Sequence, residues 1–341
     1  MFDTIERADL EELHFRYDRA TGLRGIVAIH NTRLGPALGG CRCIPYDDDE
    51  EAIADVIRLA RGMSYKAALA NVPQGGGKAV ILQPPGTYDR AALYGAFGRF
   101  VNDLGGRYIT AVDSGTRISD MDEVRRVTPY VSGTSKDGHD PSPVTALGVY
   151  AGIRSAVAWR LGRDSLRDVH VAVQGLGNVG YALAGLLHVE GARLTVSDID
   201  AARVERCVRE MGAEAVAPEV IHEMECEVFS PCGLGGVLND DTIPRLRCAI
   251  VAGAANNQLA DDSQGERLHR EGILYAPDYV INAGGLIQVS LGYHGKDHAE
   301  IRRRTMALGN ALQDLFERSK VDDLPPEQIA NQVAESIIYH P

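Results

Sequence analysis

The stretch that most constrains this chain is VHVAVQGLGNVGYALAGLLHVEGARLTVSDID, residues 169–200. A β-branched run leads into a glycine turn, an apolar helical segment follows, and a second β-branched run stops at Asp198. The layout is strand, turn, helix, strand. Gly175, Gly177 and Gly180 give the spacing G-x-G-x-x-G, with Leu176, Asn178 and Val179 between them. Alone, that spacing is weak evidence. Placed after a strand, at the opening of a helix and eighteen residues before an aspartate, it is the full dinucleotide-binding arrangement. The glycines admit a pyrophosphate to the helix N-terminus, whose free N–H groups and dipole favour anions. Asp198 can accept hydrogen bonds from ribose hydroxyls and would repel a 2′-phosphate, so the expected cofactor is NAD rather than NADP.

One such unit does not fill 341 residues, and the length predicts about two domains. The 47 acidic and 35 basic residues give a formal charge of -12. Without a basic block, nucleic acid and anionic membrane are not expected partners. No stretch is apolar over the roughly 18 residues that a membrane helix needs. The acidic opening MFDTIERADLEEL lacks the layout of a signal peptide, so a cytoplasmic protein is expected. Six cysteines form no C-x-x-C pair. Cys41 and Cys43 flank Arg42 on an expected strand and face one side of it. They read as small buried hydrophobes, and no metal site is expected.

Upstream, LRGIVAIHNT (23–32) reads as a strand closed by a turn-rich LGPALGG, and residues 47–63 as a helix with an acidic start. KAVILQ, a helix over YDRAALYGAFGRFVNDLG, and RYITAV follow. Alternating strands and helices of this kind predict an α/β layered fold. SGTSKDGHDPSP, 132–143, reads as a linker, after which Ser142 is expected to cap a helix with Pro143 in its first turn. His139, His188 and His294 are scattered and show no partner for base or nucleophile chemistry.

VPQGGGKAVI, residues 72–81, places three glycines directly before Lys78. Lysine is a base near neutral pH only when its free amine is populated, which burial and a neighbouring cation both promote. Lys66 is the candidate neighbour, expected beyond the preceding helix, while Lys78 is expected to open the next strand. Asp113, in ITAVDSGT, falls just past a strand end, where α/β proteins place catalytic groups. Two lysines and an aspartate suit a small zwitterion. The glycines are expected to let Lys78 reach it with no side chain intervening. Taken singly, both lysines would read as solvated surface charges.

The segments GPALGGCRCIPY, RLARGMSYKAALANVPQGGGKAVI, ITAVDSGT, QGLGNVG, SPCGLGGVLND, VAGAANNQL and YAPDYVINAGGLIQV resemble the amino-acid dehydrogenases that include leucine, valine and phenylalanine dehydrogenases. The resemblance runs from about residue 20 to the end. It implies an α/β fold of two domains separated by a cleft. Residues 1–132 plus 325–341 would form the catalytic and oligomerisation domain, and 133–324 the Rossmann-type NAD-binding domain, with PPEQIANQVAESII returning to the first. It assigns Lys66 and Asn257 to the substrate carboxylate, Lys78 to catalysis and Asp113 to the amino group and its proton. Gly39 and Gly40 become backbone contacts at the substrate, and Thr145 and Asn282 lie near the nicotinamide. A homo-oligomer, from dimer to octamer, is implied as well.

By the same resemblance, members acting on glutamate carry a lysine where GPALGG has Leu38. An apolar group there would leave a second carboxylate unpaired, at a cost of several kcal/mol. Ala111, Leu286 and Val289, the other implied pocket positions, are apolar too. The expected reaction is therefore reversible oxidative deamination of a hydrophobic L-amino acid to its 2-oxo acid and ammonia. Ala111 resembles the branched-chain enzymes, while GGCRCIPY, NDDTI and GGLIQV resemble the phenylalanine enzymes. The branched-chain substrate is favoured and phenylalanine is the alternative. Val112 and Ser114 depart from the glutamate and valine that commonly flank the aspartate. A catalytically silent NAD-binding sensor or scaffold is the rival of another class, and the joint presence of Lys66, Lys78, Asp113 and Asn257 argues against it.

Overall fold

The computed structural model describes residues 2–136 and 140–340. His139 and part of the expected linker therefore lie outside the described residues. The chain divides into two compact units: Met1–His139 with Val289–Gly295 and Ala334–Pro341, and Asp140–Gln288 with Lys296–Val333. Among the described residues, no helix is long and apolar enough to cross a membrane.

The first unit is built on five strands, β1 (Glu12–Asp18), β2 (Leu23–Asn31), β3 (Ala37–Ile44), β4 (Gly75–Leu82) and β5 (Tyr108–Val112), in the order β1-β2-β4-β3-β5. β1 and β4 pair antiparallel to β2, whereas β3 runs parallel to β4 and β5. Its N-terminal helices are α1 (Phe2–Arg7), α2 (Asp49–Leu69), α3 (Arg90–Asp103) and α4 (Ile118–Arg125). β2 and β4 are buried on both faces, Arg24 excepted. Ile26, Ala28 and Val80 pack on Val56, Ile57 and Ala60 of α2. Val27, Ile29, Ala79, Ile81, Cys41 and Cys43 pack on Leu93, Phe97, Phe100 and Val101 of α3. The sheet is thus covered on both sides. Tyr65 donates to Glu335 at 2.6 Å, which fixes the end of the chain within this unit.

The second unit carries α5 (Ser142–Leu161), β6 (His170–Gln174), α6 (Asn178–Val189), β7 (Arg193–Ser197), α7 (Ala201–Met211), β8 (Glu214–Ala215), β9 (Cys226–Pro231), β10 (Cys248–Val251), α8 (Ser263–Arg270) and β11 (Leu274–Tyr275). The helices α9 (Asp278–Ile281), α10 (Gly284–Tyr293), α11 (His298–Met306), α12 (Leu308–Asp322) and α13 (Pro326–Tyr339) follow in the chain. Its sheet is wholly parallel, ordered β11-β10-β9-β6-β7-β8. The order reverses between β6 and β9. This is the doubly wound arrangement, whose ligands bind at that switch point. One face is covered by Ile221, Leu238, Ile243 and Leu268 around Phe229 and Val251, and α5 packs against α6, α11 and α12.

Several local expectations change. The turn read in LGPALGG ends early, because Ala37–Gly40 already belongs to β3. The helix expected to stop at 63 runs to Leu69, since MSYKAAL continues with good helix formers. Lys66 is therefore in the last turn of α2 and not beyond it, and Lys78 is the fourth residue of β4 and does not open it. Ser142 does not cap α5. Pro141 occupies the cap position with no side-chain bond, and Asp140 accepts from the Ser142 N–H at 2.9 Å.

Candidate active site

Gly75, Gly76 and Gly77 do not form a bare loop; they are the buried first half of β4. A Cβ on Gly75 would strike the Asn31 carbonyl, and one on Gly76 the backbone of Ser64 in α2. One on Gly77 would come within 2.9 Å of Tyr108 and 3.0 Å of Ala37. The glycines let the sheet and α2 close on each other, which is a packing reason and replaces the expected path to a ligand. The consequence for Lys78 is enclosure: its side chain is 7% exposed.

Lys78 Nζ contacts Asp113 Oδ2 directly. Burial, then the cations Arg42 and Lys66, push the Lys78 ammonium down to about 7, and the contacting carboxylate opposes them. Asp113 is placed by its own turn: its N–H donates to Thr116 Oγ1 at 2.8 Å, and that hydroxyl lies 3.1 Å from the Cys41 carbonyl. Gly40 makes room for it, since a Cβ there would stand 2.7 Å from Asp113 Cβ. Gly39 is fully enclosed, its carbonyl accepting from Tyr108 at 2.6 Å. Leu38 and Ala111 are buried on β3 and β5, 1% and 8% exposed. Val289 is half-buried, with its carbonyl 3.4 Å from Ser132 Oγ. The first unit thus brings together Lys78, Asp113 and Gly40, with Lys66 close enough to act on Lys78 electrostatically.

Arg42 is the member that sequence reasoning passed over. It stands on the face shared by Leu38, Gly40 and Lys78, and it ion-pairs with Asp55 at 2.8 Å. The signal was its parity with Leu38 and Gly40 on one strand.

In the second unit the three glycines have three separate reasons. Gly175 adopts φ +93, and a Cβ there would lie 2.7 Å from the Gly233 N–H nitrogen. A Cβ on Gly180 would strike the Gly175 carbonyl, whereas one on Gly177 would meet nothing within 4 Å. The middle position is open for a ligand at the start of α6, as a dinucleotide pyrophosphate requires. A cavity of about 260 Å³ lies there, lined by Leu176, Gly177, Asn178, Tyr181, Arg203 and Arg206. Val179 continues the first turn of α6. Asp198 accepts from Leu176 N at 2.6 Å and from Asp200 N at 2.8 Å, locking the acid to the glycine turn. These residues fit a dinucleotide.

Elsewhere in this unit, Asn282 donates to Asn256 Oδ1 at 2.8 Å and to the Ala254 carbonyl at 3.1 Å. Asn257 follows, exposed and at φ +52, a conformation asparagine tolerates. Thr145 Oγ1 donates to Pro141 O at 3.1 Å, and Leu286 is 7% exposed. Among the described residues, no three His, Cys, Asp or Glu side chains cluster as metal ligands.

The family description "Glu/Leu/Phe/Val dehydrogenase, dimerisation domain" matches residues 10–130, and "Glutamate/Leucine/Phenylalanine/Valine dehydrogenase" matches residues 200–300. The chain is 46% identical over 341 residues to leucine dehydrogenase of Geobacillus stearothermophilus, covering 99% of this chain and 93% of that one. The chain belongs to the Glu/Leu/Phe/Val dehydrogenase family. This dehydrogenase is also 42% identical to phenylalanine dehydrogenase of Caldalkalibacillus thermarum, over 98% of this chain and 92% of that one. It superposes on the crystal structure of L-tryptophan dehydrogenase from Nostoc punctiforme with a TM-score of 0.90 at 42% identity, over 99% and 98% of the two chains. It is accordingly an oxidoreductase of the CH–NH2 group that uses a nicotinamide cofactor.

Proposed function

We propose that this dehydrogenase catalyses the reversible, NAD-dependent oxidative deamination of a hydrophobic L-amino acid, with leucine, valine and isoleucine favoured. The products are the 2-oxo acid, ammonium, NADH and a proton, with one water consumed. The observation that carries the proposal is Lys78, buried, held near neutrality and in contact with Asp113. NAD, when bound, accepts the hydride of the substrate Cα. Lys66 takes the α-carboxylate. Lys78, as a free amine, receives the proton of the water that adds at that carbon, and Asp113 passes protons to and from the nitrogen that leaves. Asn257 is assigned to the α-carboxylate, Thr145 and Asn282 to the nicotinamide, and Gly175–Gly180 with Asp198 to the rest of the dinucleotide.

Buried Leu38 and Ala111 support an apolar substrate side chain, because a glutamate carboxylate beside them would be desolvated and unpaired. The charge of Asp198 supports NAD over a 2′-phosphorylated cofactor. A homo-oligomer fits the description of residues 10–130 as a dimerisation domain.

The test follows NADH absorbance at alkaline pH with NAD and L-leucine, L-valine, L-isoleucine, L-phenylalanine, L-tryptophan and L-glutamate in turn. Fast reduction with the branched-chain substrates and silence with glutamate are expected. Silence across the panel with NAD bound would overturn the assignment.

A further inference from the structure

Lys78 shares its face of the sheet with a second cation that the reaction scheme above does not use. In the register of β3 and β4, Cys41 stands opposite Ala79 and Arg42 opposite Val80. Side chains two residues apart on a strand point to the same face, so Arg42 lies on the Lys78 face, one step along the paired strands. Its side chain is 19% exposed, and Nη1 donates to Asp55 Oδ2 at 2.8 Å. Asp55 is held in turn by the Tyr46 hydroxyl at 2.8 Å and by Arg58 at 2.7 Å. A guanidinium anchored in this way stays in place, and it does not lose its proton at any working pH.

We propose that Arg42 is a positioning residue of the active site, a fixed cation whose field keeps the Lys78 amine free at neutral pH after the substrate has bound. The catalytic meaning of this rests on the function proposed above.

Among the described residues, six titratable or charged groups act on Lys78 or lie on the α2 side of the sheet with it. These are Cys41 and Arg42 on β3, His30 on β2, Asp55 and Lys66 on α2, and Asp113 beyond β5. Burial pushes the Cys41 thiol up, so it stays neutral. His30 is bonded to Ser64 at 2.8 Å and pushed down to about 4 by burial, so it is neutral too. Asp113 and Asp55 favour the ammonium, and Asp55 acts on Lys78 more weakly than the guanidinium it anchors. Two cations remain that favour the free amine. One of them, Lys66, is the proposed partner of the substrate carboxylate, and an arriving anion offsets its field at Lys78. The other, Arg42, keeps its one carboxylate partner throughout. It is the cation that still acts in the loaded enzyme.

Two readouts separate this role from a merely structural one. The first is the pH dependence of kcat, which reports groups in the substrate complex. The second is competitive acetylation of Lys78 across pH, read by peptide mass without substrate. Arg42→Met should move the Lys78 midpoint to higher pH in both, by on the order of one unit, and Arg42→Lys should return most of that shift. Asp55→Asn should move the acetylation midpoint the other way. A uniform loss of turnover in Arg42→Met with an unmoved midpoint would overturn the proposal, as would shifts in the same direction for Arg42→Met and Asp55→Asn. If Arg42→Met does not fold, Arg42→Gln decides: a shift of the acetylation midpoint to higher pH supports the proposal and no shift overturns it. A wild-type protein without deaminase activity in which Arg42→Met still shifts the acetylation midpoint would overturn the proposed function and leave the role of Arg42 standing.

Discussion

The Cβ that Gly40 lacks would stand 2.7 Å from Asp113 Cβ and equally close to the Val112 carbonyl. Asp113 can lie over β3 and touch Lys78 only because position 40 carries no side chain. Gly40→Ala should therefore displace the carboxylate and push on the backbone of β5 at Val112. The expected result is a fall in kcat on the order of 100-fold, the usual result of misplacing a reacting group by about 1 Å. Circular dichroism should change little, while the melting temperature should fall, because the Val112 carbonyl is backbone and cannot swing aside. Normal turnover in this variant would mean that the carboxylate position does not matter.

If Lys78 acts as proposed, its protonation sets the pH at which the enzyme works. Its ammonium is held down to about 7, against an ordinary value near 10.4 for lysine. In the proposed reaction the free amine is the active form, so kcat/KM, which reports the free enzyme, should rise with pH through a limb centred near 7. Lys78→Ala should remove that limb along with nearly all turnover, and stopped-flow measurement of NADH formation would record both.

Asp198 holds the glycine turn through Leu176 N and Asp200 N. Its replacement by alanine removes an ionic acceptor worth roughly 1.5–3 kcal/mol per hydrogen bond. NADH binding, followed by fluorescence, should weaken about 10-fold or more in Asp198→Ala. Asp198→Asn keeps an acceptor for the turn and should lose less. Equal affinity in all three proteins would remove Asp198 from the cofactor site.

Glu327 is 8% exposed, neither carboxylate oxygen has a partner, and both lie against Gly265 of α8. Burial raises it to about 7 from an ordinary 4.5, with Asp262 and Glu266 adding to the shift. The folded state therefore holds a proton that the unfolded chain has released, and stability falls as pH rises from about 4.5 to about 7. Glu327→Gln should leave stability at pH 4.5 nearly unchanged and raise it at pH 8 by roughly 1–3 kcal/mol. Urea unfolding at the two pH values would show it, and an equal effect at both would contradict the assignment.

The candidate nucleotide site was legible in the sequence because its parts are neighbours in the chain. Gly175, Gly177, Gly180 and Asp198 span a single strand, helix and strand, and the rules of that unit are local. The proposed catalytic lysine, Lys78, was legible as a residue but not in its placement. α2 outran its expected end at Met63 and ran to Leu69, because nothing in MSYKAAL stops a helix. The triple glycine misled for the opposite reason. What a Cβ there would strike is Asn31, Ser64 and Tyr108, all distant in sequence, and no local pattern announces a neighbour. Arg42 was overlooked because a charge between two cysteines reads as an outward position, while β3 is covered on both faces.

The glycines at 75–77 separate two demands that are usually confounded. A library of variants screened only for a folded chain, with no substrate offered and no turnover asked, should return these three positions unchanged. The sites that it does allow to vary, Lys78 foremost among them, are the ones where chemistry and not architecture has chosen the residue.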